Sequence, residues 1–161
     1  MDREELSIYL ARAGVHIPMI PGALVDEVAA AIPGEMLHAD AESVLSDRRR
    51  AATARLVVIT PTCIVEGRAV DFPMGGRRNT TSEYGQTELS VSLRALAGLA
   101  DVAIGFRCWP DATHANHLTL TFSDGSIETF PIGGVDTEHT DATLRRVFAQ
   151  IQALGYPSRA G

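Results

Sequence analysis

The sequence predicts an α+β domain with about seven antiparallel strands, a C-terminal amphipathic helix and two short helices in front. Three observations carry that expectation. Leu118, Leu120 and Phe122 alternate with Thr119, Thr121 and Ser123 before Asp124-Gly125, a pair that tolerates the positive φ angles of a two-residue hairpin turn. The period then changes: Leu144, Val147, Phe148, Ile151 and Leu154 recur at helical spacing, opposite Arg145, Arg146, Gln150 and Gln152. Upstream, short apolar runs are separated by proline, glycine and polar residues at the spacing of an antiparallel meander.

Near the N-terminus, Leu6, Tyr9, Leu10 and Ala13 mark one face of a helix over 3–13 that Gly14 stops. Pro18 and Pro21 stiffen the connection to a second helix, marked by Leu24, Val25, Val28, Ala29 and Ile32 and ended by Pro33-Gly34. Helices this short are unstable alone, so their apolar faces must bury against the following domain or a partner chain. The division is a helical extension over 1–33 and a sheet domain over 35–157. A weak strand over 35–44 leads to a polar loop over 45–54, a strong strand over 55–60 and, after a bend at Pro61, a strand over 63–70. Residues 72–81 lack periodicity and read as a long loop. The strand over 88–93 turns Leu89, Val91 and Leu93 inward and Ser90 and Ser92 outward. Past a turn over 95–99, Val102, Ile104, Phe106 and Cys108 line one face of a fifth strand, which Trp109-Pro110-Asp111 ends. The hairpin strands over 118–123 and 126–132 complete the sheet. Thr140 or Asp141 can cap the last helix, and Gly155 suits its C′ position.

A chain of 161 residues with 45% apolar and 21% charged residues can bury a real core and is not largely disordered. A net charge of −6 argues against nucleic-acid binding through overall charge and weakens attraction to anionic membranes, leaving local patches open. Cys63 and Cys108 fall in separate strands and are expected to be buried free thiols. Met1-Asp2-Arg3-Glu4-Glu5 does not open a secretory signal. The longest nearly apolar run, 95–106, is broken by Asp101 and is too short to span a bilayer, so a cytoplasmic location is expected.

The order of strands and final helix resembles the bacterial pleckstrin-homology-like domains. The resemblance rests on Ile32-Pro33-Gly34-Glu35 as a lead-in, Leu56-Val57-Val58-Ile59-Thr60 opening a hairpin, the 92–99 segment Ser-Leu-Arg-Ala-Leu-Ala-Gly-Leu, and the 118–125 strand and turn. It covers 35–157 and implies a strongly bent antiparallel β-barrel or sandwich that the C-terminal helix caps. It also implies a non-enzymatic binding or adaptor module for protein–protein interaction or self-association, with a protein partner or a homo-oligomer and no cofactor. In lipid-binding members of the wider fold the ligand sits at the loop between the first two strands, which here holds Arg48, Arg49 and Arg50. Their guanidinium groups could grip the phosphates of an anionic ligand or membrane surface. Arg77 and Arg78, beside Gly75-Gly76, could assist through a backbone nest. The lysine of the lipid-binding pattern is absent, as it is from the whole chain.

Cys108, Asp111, His114 and His117 are the one cluster with metal-ligand residue types, which would make a metal-dependent enzyme a third reading. Neither usual zinc spacing is present, and residues three apart on a strand point to opposite faces, so exposed loop histidines are the simpler expectation. His16, His38 and His139 read as surface or partly buried polar residues. No nucleophile elbow or phosphate-binding P-loop occurs, and no catalytic residue is assigned.

Overall fold

The computed structural model describes residues 1–13, 19–45, 51–73, 87–110, 112–132, 140–157 and 159–160. Along them run α1 (Arg3–Arg12), α2 (Gly22–Ala31), β1 (His38–Leu45), β2 (Ala51–Ile59), β3 (Cys63–Pro73) and β4 (Glu88–Ala95). A 3-10 turn (Leu96–Gly98) leads to β5 (Leu99–Trp109), β6 (Ala112–Phe122), β7 (Ile127–Phe130), α3 (Thr140–Ala153) and β8 (Arg159–Ala160). The α+β class, the antiparallel strands and the helices at both ends are as expected. The described strands form two sheets of four, ordered β1-β2-β3-β4 and β7-β6-β5-β8, rather than one sheet closed on itself. The unforeseen β8 pairs parallel with β5. The chain separates into two compact units, residues 1–60 with 65–93 and residues 61–64 with 94–161.

In the first unit β1 and β2 form a long antiparallel hairpin, registered from His38 opposite Ile59 to Leu45 opposite Ala52. The polar loop expected over 45–54 is therefore shorter. Residues 51–54 continue β2, with Ala52 and Ala54 buried in step with Leu56 and Val58. Alanine carries little strand signal, which hid the alternation. Asp2 caps α1 by accepting from the Glu5 N–H at 2.8 Å. The apolar faces of α1 and α2 close over this unit: Leu6, Leu10, Leu24 and Val28 are fully buried. Gly67 in β3 permits the approach, since a Cβ there would lie 2.3 Å from Val28 Cγ2 and 2.9 Å from Leu24 Cδ1.

In the second unit Leu144, Val147, Phe148 and Ile151 of α3 are buried, with α3 packed against β6 and β5, while Leu154 is exposed. Gly155, at φ +83°, closes α3 by donating to the Gln152 carbonyl at 2.9 Å. The β6–β7 hairpin has a three-residue loop rather than the expected two. Phe122 N–H donates to the Ser126 carbonyl, Gly125 N–H turns back to the Phe122 carbonyl, and Gly125 takes φ +85°. β6 begins at Ala112, earlier than the apolar alternation shows, because its first residues are small or polar and the first three are exposed. Among the described residues no helix is long and apolar enough to cross a membrane.

Gly67→Ala forces a Cβ into space that Leu24 and Val28 occupy. It is expected to destabilise the protein by ~1–3 kcal/mol in denaturant unfolding, the usual cost of overpacking a filled core. An unchanged midpoint would mean that α2 does not press on β3 as described.

Candidate functional site

All five candidate ligand-binding arginines, Arg48, Arg49, Arg50, Arg77 and Arg78, lie outside the described residues, as do Asp111, His16 and His139. The first three fall in sequence between β1 and β2, whose described ends expose Val44 and Leu45.

The described residues of the metal-ligand types, Cys108, His114 and His117, are spread along the β5–β6 pair. Cys108 lies opposite Thr113, His114 opposite Arg107 and His117 opposite Gly105. Gly105 and Cys108 are three residues apart on β5, roughly 10 Å along an extended strand, so Cys108 and His117 do not converge. Among the described residues no three His, Cys, Asp or Glu side chains gather as metal ligands would. Cys63 is buried and Cys108 is exposed, which corrects half of the expectation for the thiols. His114 and His117 lie in a strand, not a loop. A register shift between Gly105 and Phe106 leaves Ala115 and Leu118 both buried and both histidines exposed, so the three-residue spacing does not set them on opposite faces. The His117 ring lies on Gly105, where a Cβ would stand 1.9 Å from the ring Cε1.

Beside this irregularity α3 clamps β6. Asp141 accepts from the Ala115 N–H and from Arg145 Nε, while Arg145 donates to the Thr113 carbonyl at 3.0 Å and stacks 4.9 Å over the Phe106 ring. The Ala115 N–H and Arg145 hold the Asp141 carboxyl below its usual range. The cluster explains how the strand and helix are joined, and its polar groups serve each other.

Two polar groupings brace the first unit. Tyr9 of α1 hydrogen-bonds His38 Nδ1 at 2.8 Å, and His38, expected at the surface or partly buried, is buried at the start of β1. Glu66 on β3 accepts from Arg55 of β2 at 2.9 Å and from Arg68. Burial pushes the Glu66 carboxyl up, but the hydrogen bonds and charges of Arg55 and Arg68 together outweigh it and leave it below its ordinary 4.5.

The surface feature that these contacts do not use is β4. It ends its sheet and exposes every residue but the half-buried Val91. Leu89, Val91 and Leu93 alternate as expected, yet Leu89 is 39% and Leu93 58% exposed, where an inward placement was expected. α1 packs on β1 and α2 on β2, and the start of α2 comes beside β4 at Leu89. There Thr87, Leu89, Pro21, Ala23, Arg3 and Asp26 border a cavity of about 310 Å³. Arg3 and Asp26, both at its border, pair at 3.3 Å, and Thr87 Oγ1 is buried with no hydrogen-bond partner among the described residues. Among the described residues no strand pairs with this edge, which also offers an apolar stripe and a groove, the ingredients for adding a strand. Exposure is invisible to periodicity, so the sequence pattern located the stripe and could not show that Leu89 and Leu93 stay exposed among the described residues.

No protein-family model, curated protein or solved structure matches the chain.

Glu66→Gln is expected to destabilise the protein at neutral pH by ~1–2 kcal/mol, because the half-buried Arg55 loses a charged acceptor. The folded-state value lies below 4.5, so the carboxylate's contribution is fully present above that pH and is lost as pH falls through the folded value. The variant should therefore show a flatter loss of stability in acid. Identical acid limbs for the two proteins would remove the pairing as a source of stability.

Proposed function

We propose that the chain is a non-enzymatic interaction module, acting through protein–protein contact or self-association. The observation that carries this reading is the exposed apolar stripe of the edge strand β4 beside the groove at Leu89. Contiguous exposed apolar side chains on a sheet edge are unusual where no partner is bound, because such an edge invites strand addition. The same reading includes a pleckstrin-homology-like ground plan over 35–157, that is, a bent barrel or sandwich capped by α3. Its support is the succession of seven antiparallel strands, β1 to β7, followed by one amphipathic helix. The apolar faces of α1 and α2 are already buried within the first unit, so the contact surface is assigned to β4 rather than to those helices.

The double variant Leu89→Ser with Leu93→Ser tests the assignment. Both side chains are exposed, so thermal stability should stay within about 0.5 kcal/mol of wild type. Self-association in sedimentation velocity, or retention of a partner in pull-down, should fall to background. Equal behaviour of the two proteins in both assays would overturn the reading.

A further inference from the structure

We propose that β4 pairs with β4 of a second copy of this chain, antiparallel and about a two-fold axis through Val91. The inference rests on the interaction-module reading and names its partner. The segment is Glu88-Leu89-Ser90-Val91-Ser92-Leu93-Arg94, which reads the same in both directions except that its ends carry opposite charges. In an antiparallel pair centred on Val91, Leu89 stands opposite Leu93 of the second copy, Ser90 opposite Ser92, and Glu88 opposite Arg94. Opposed residues share a face. One face then carries the Leu89, Val91 and Leu93 side chains of both copies in a continuous apolar stripe, and the other carries serines flanked by a Glu–Arg pair at each end. Each contact off the axis occurs twice and Val91 meets Val91 on it, which is the self-complementarity that a closed two-fold dimer requires.

Other registers lose this match. A slip of one residue sets leucines against serines on the same face. Sliding by two in one direction places Glu88 opposite Ser92 and Leu93 opposite Thr87, and in the other direction Arg94 opposite Ser90 and Glu88 opposite Leu96. Only the register centred on Val91 aligns both leucine pairs and both charge pairs.

The strand is suited to this use. It carries no proline, and its two charged residues stand near its ends, where they do not interrupt the stripe. The other edge of the same sheet, β1, holds Asp40 and Glu42 within its length, and the edges β7 and β8 of the second sheet have only four and two residues. Glu88 forms no ion pair among the described residues. Arg94 spends one of its N–H donors on Ser126 Oγ at 2.8 Å and lies 4.7 Å over the Phe122 ring. That contact sets the side chain's course, and a guanidinium retains further donors for a carboxylate. Leu89 lines the groove beside α2, so Leu93 of the second copy arrives next to it.

Charge exchange tests both the partner and the register. The wild-type chain should sediment at twice its own 17.2 kDa. E88R and R94E, each placing like charges opposite one another at both ends, should raise the dimer dissociation constant by about tenfold. An equimolar mixture of E88R and R94E restores opposite charges at every end and should recover the dimer as a heterodimer. A cooperative melting transition in both variants confirms that folding is intact, with R94E melting slightly lower because it gives up the contacts of Arg94 with Ser126 and Phe122. A wild-type dimer indifferent to either substitution, or single variants that weaken association without rescue on mixing, would overturn pairing about Val91 and leave self-association to another surface. A monomeric wild type that still captures a partner through Leu89 and Leu93 would overturn self-pairing and keep the interaction reading. A monomeric wild type whose partner capture ignores those leucines, or that captures none, would end both.

Discussion

An antiparallel sheet that does not close on itself must end on strands whose outward N–H and C=O groups find no strand partner, and this constraint organises the first unit. β1 meets it with acidic residues along its length. β4 has charges only near its ends, at Glu88 and Arg94, and adds exposed leucines between them. Water can satisfy the backbone groups there, but it does not compensate for exposing Leu89 and Leu93 together on one face. The features that make the edge a liability in isolation make it a binding surface when a strand is supplied.

Behind that edge the unit is firmly built. Leu24 and Val28 sit on Gly67 so closely that no side chain fits between them, and Tyr9 reaches down from α1 to His38 on β1. The two helices are thus part of the core in which β1 to β3 are embedded, and Leu6, Leu10, Leu24 and Val28 are hidden from any partner. Glu66 between Arg55 and Arg68 adds polar bracing across neighbouring strands. A strand presented by such a scaffold keeps its extended form before binding, so little ordering cost attaches to association.

How much of this was legible in the sequence depended on the kind of information each element carries. Long periodic segments were readable: α3 from Leu144 to Ile151, β6 from Leu118 to Phe122, and the core of β2 from Leu56 to Ile59. Elements written in small or polar residues were not. Ala51 to Ala54 and Ala112 to His117 form strands because their neighbours supply the pairing, and neither stretch has side chains that announce it. The irregularity at Gly105 that brings His114 and His117 to one exposed side depends on cross-strand register, which no single strand encodes. The exposed Cys108 has the same origin. It sits beyond that shift on the end of β5 that pairs with exposed residues, where continuation of the Val102, Ile104 and Phe106 alternation no longer implies burial.

The candidate site divides along the same line. Leu89, Val91 and Leu93 were visible as an alternating stripe, and alternation says which residues share a face without saying what lies over that face. Leu89 and Leu93 stay exposed beside helices that pack on β1 and β2, which only the folded contacts reveal. Once β4 is known to be an uncovered edge, the sequence becomes informative again at a different level. A strand that must meet its own copy antiparallel is compared with its reversed self, and under that comparison leucine falls on leucine, serine on serine and glutamate on arginine. Periodicity analysis tests a strand against a face, whereas reversal symmetry tests it against a partner. The second test has meaning only at an edge whose outward backbone is open, because a strand flanked on both sides has already spent the hydrogen bonds that a second copy would need.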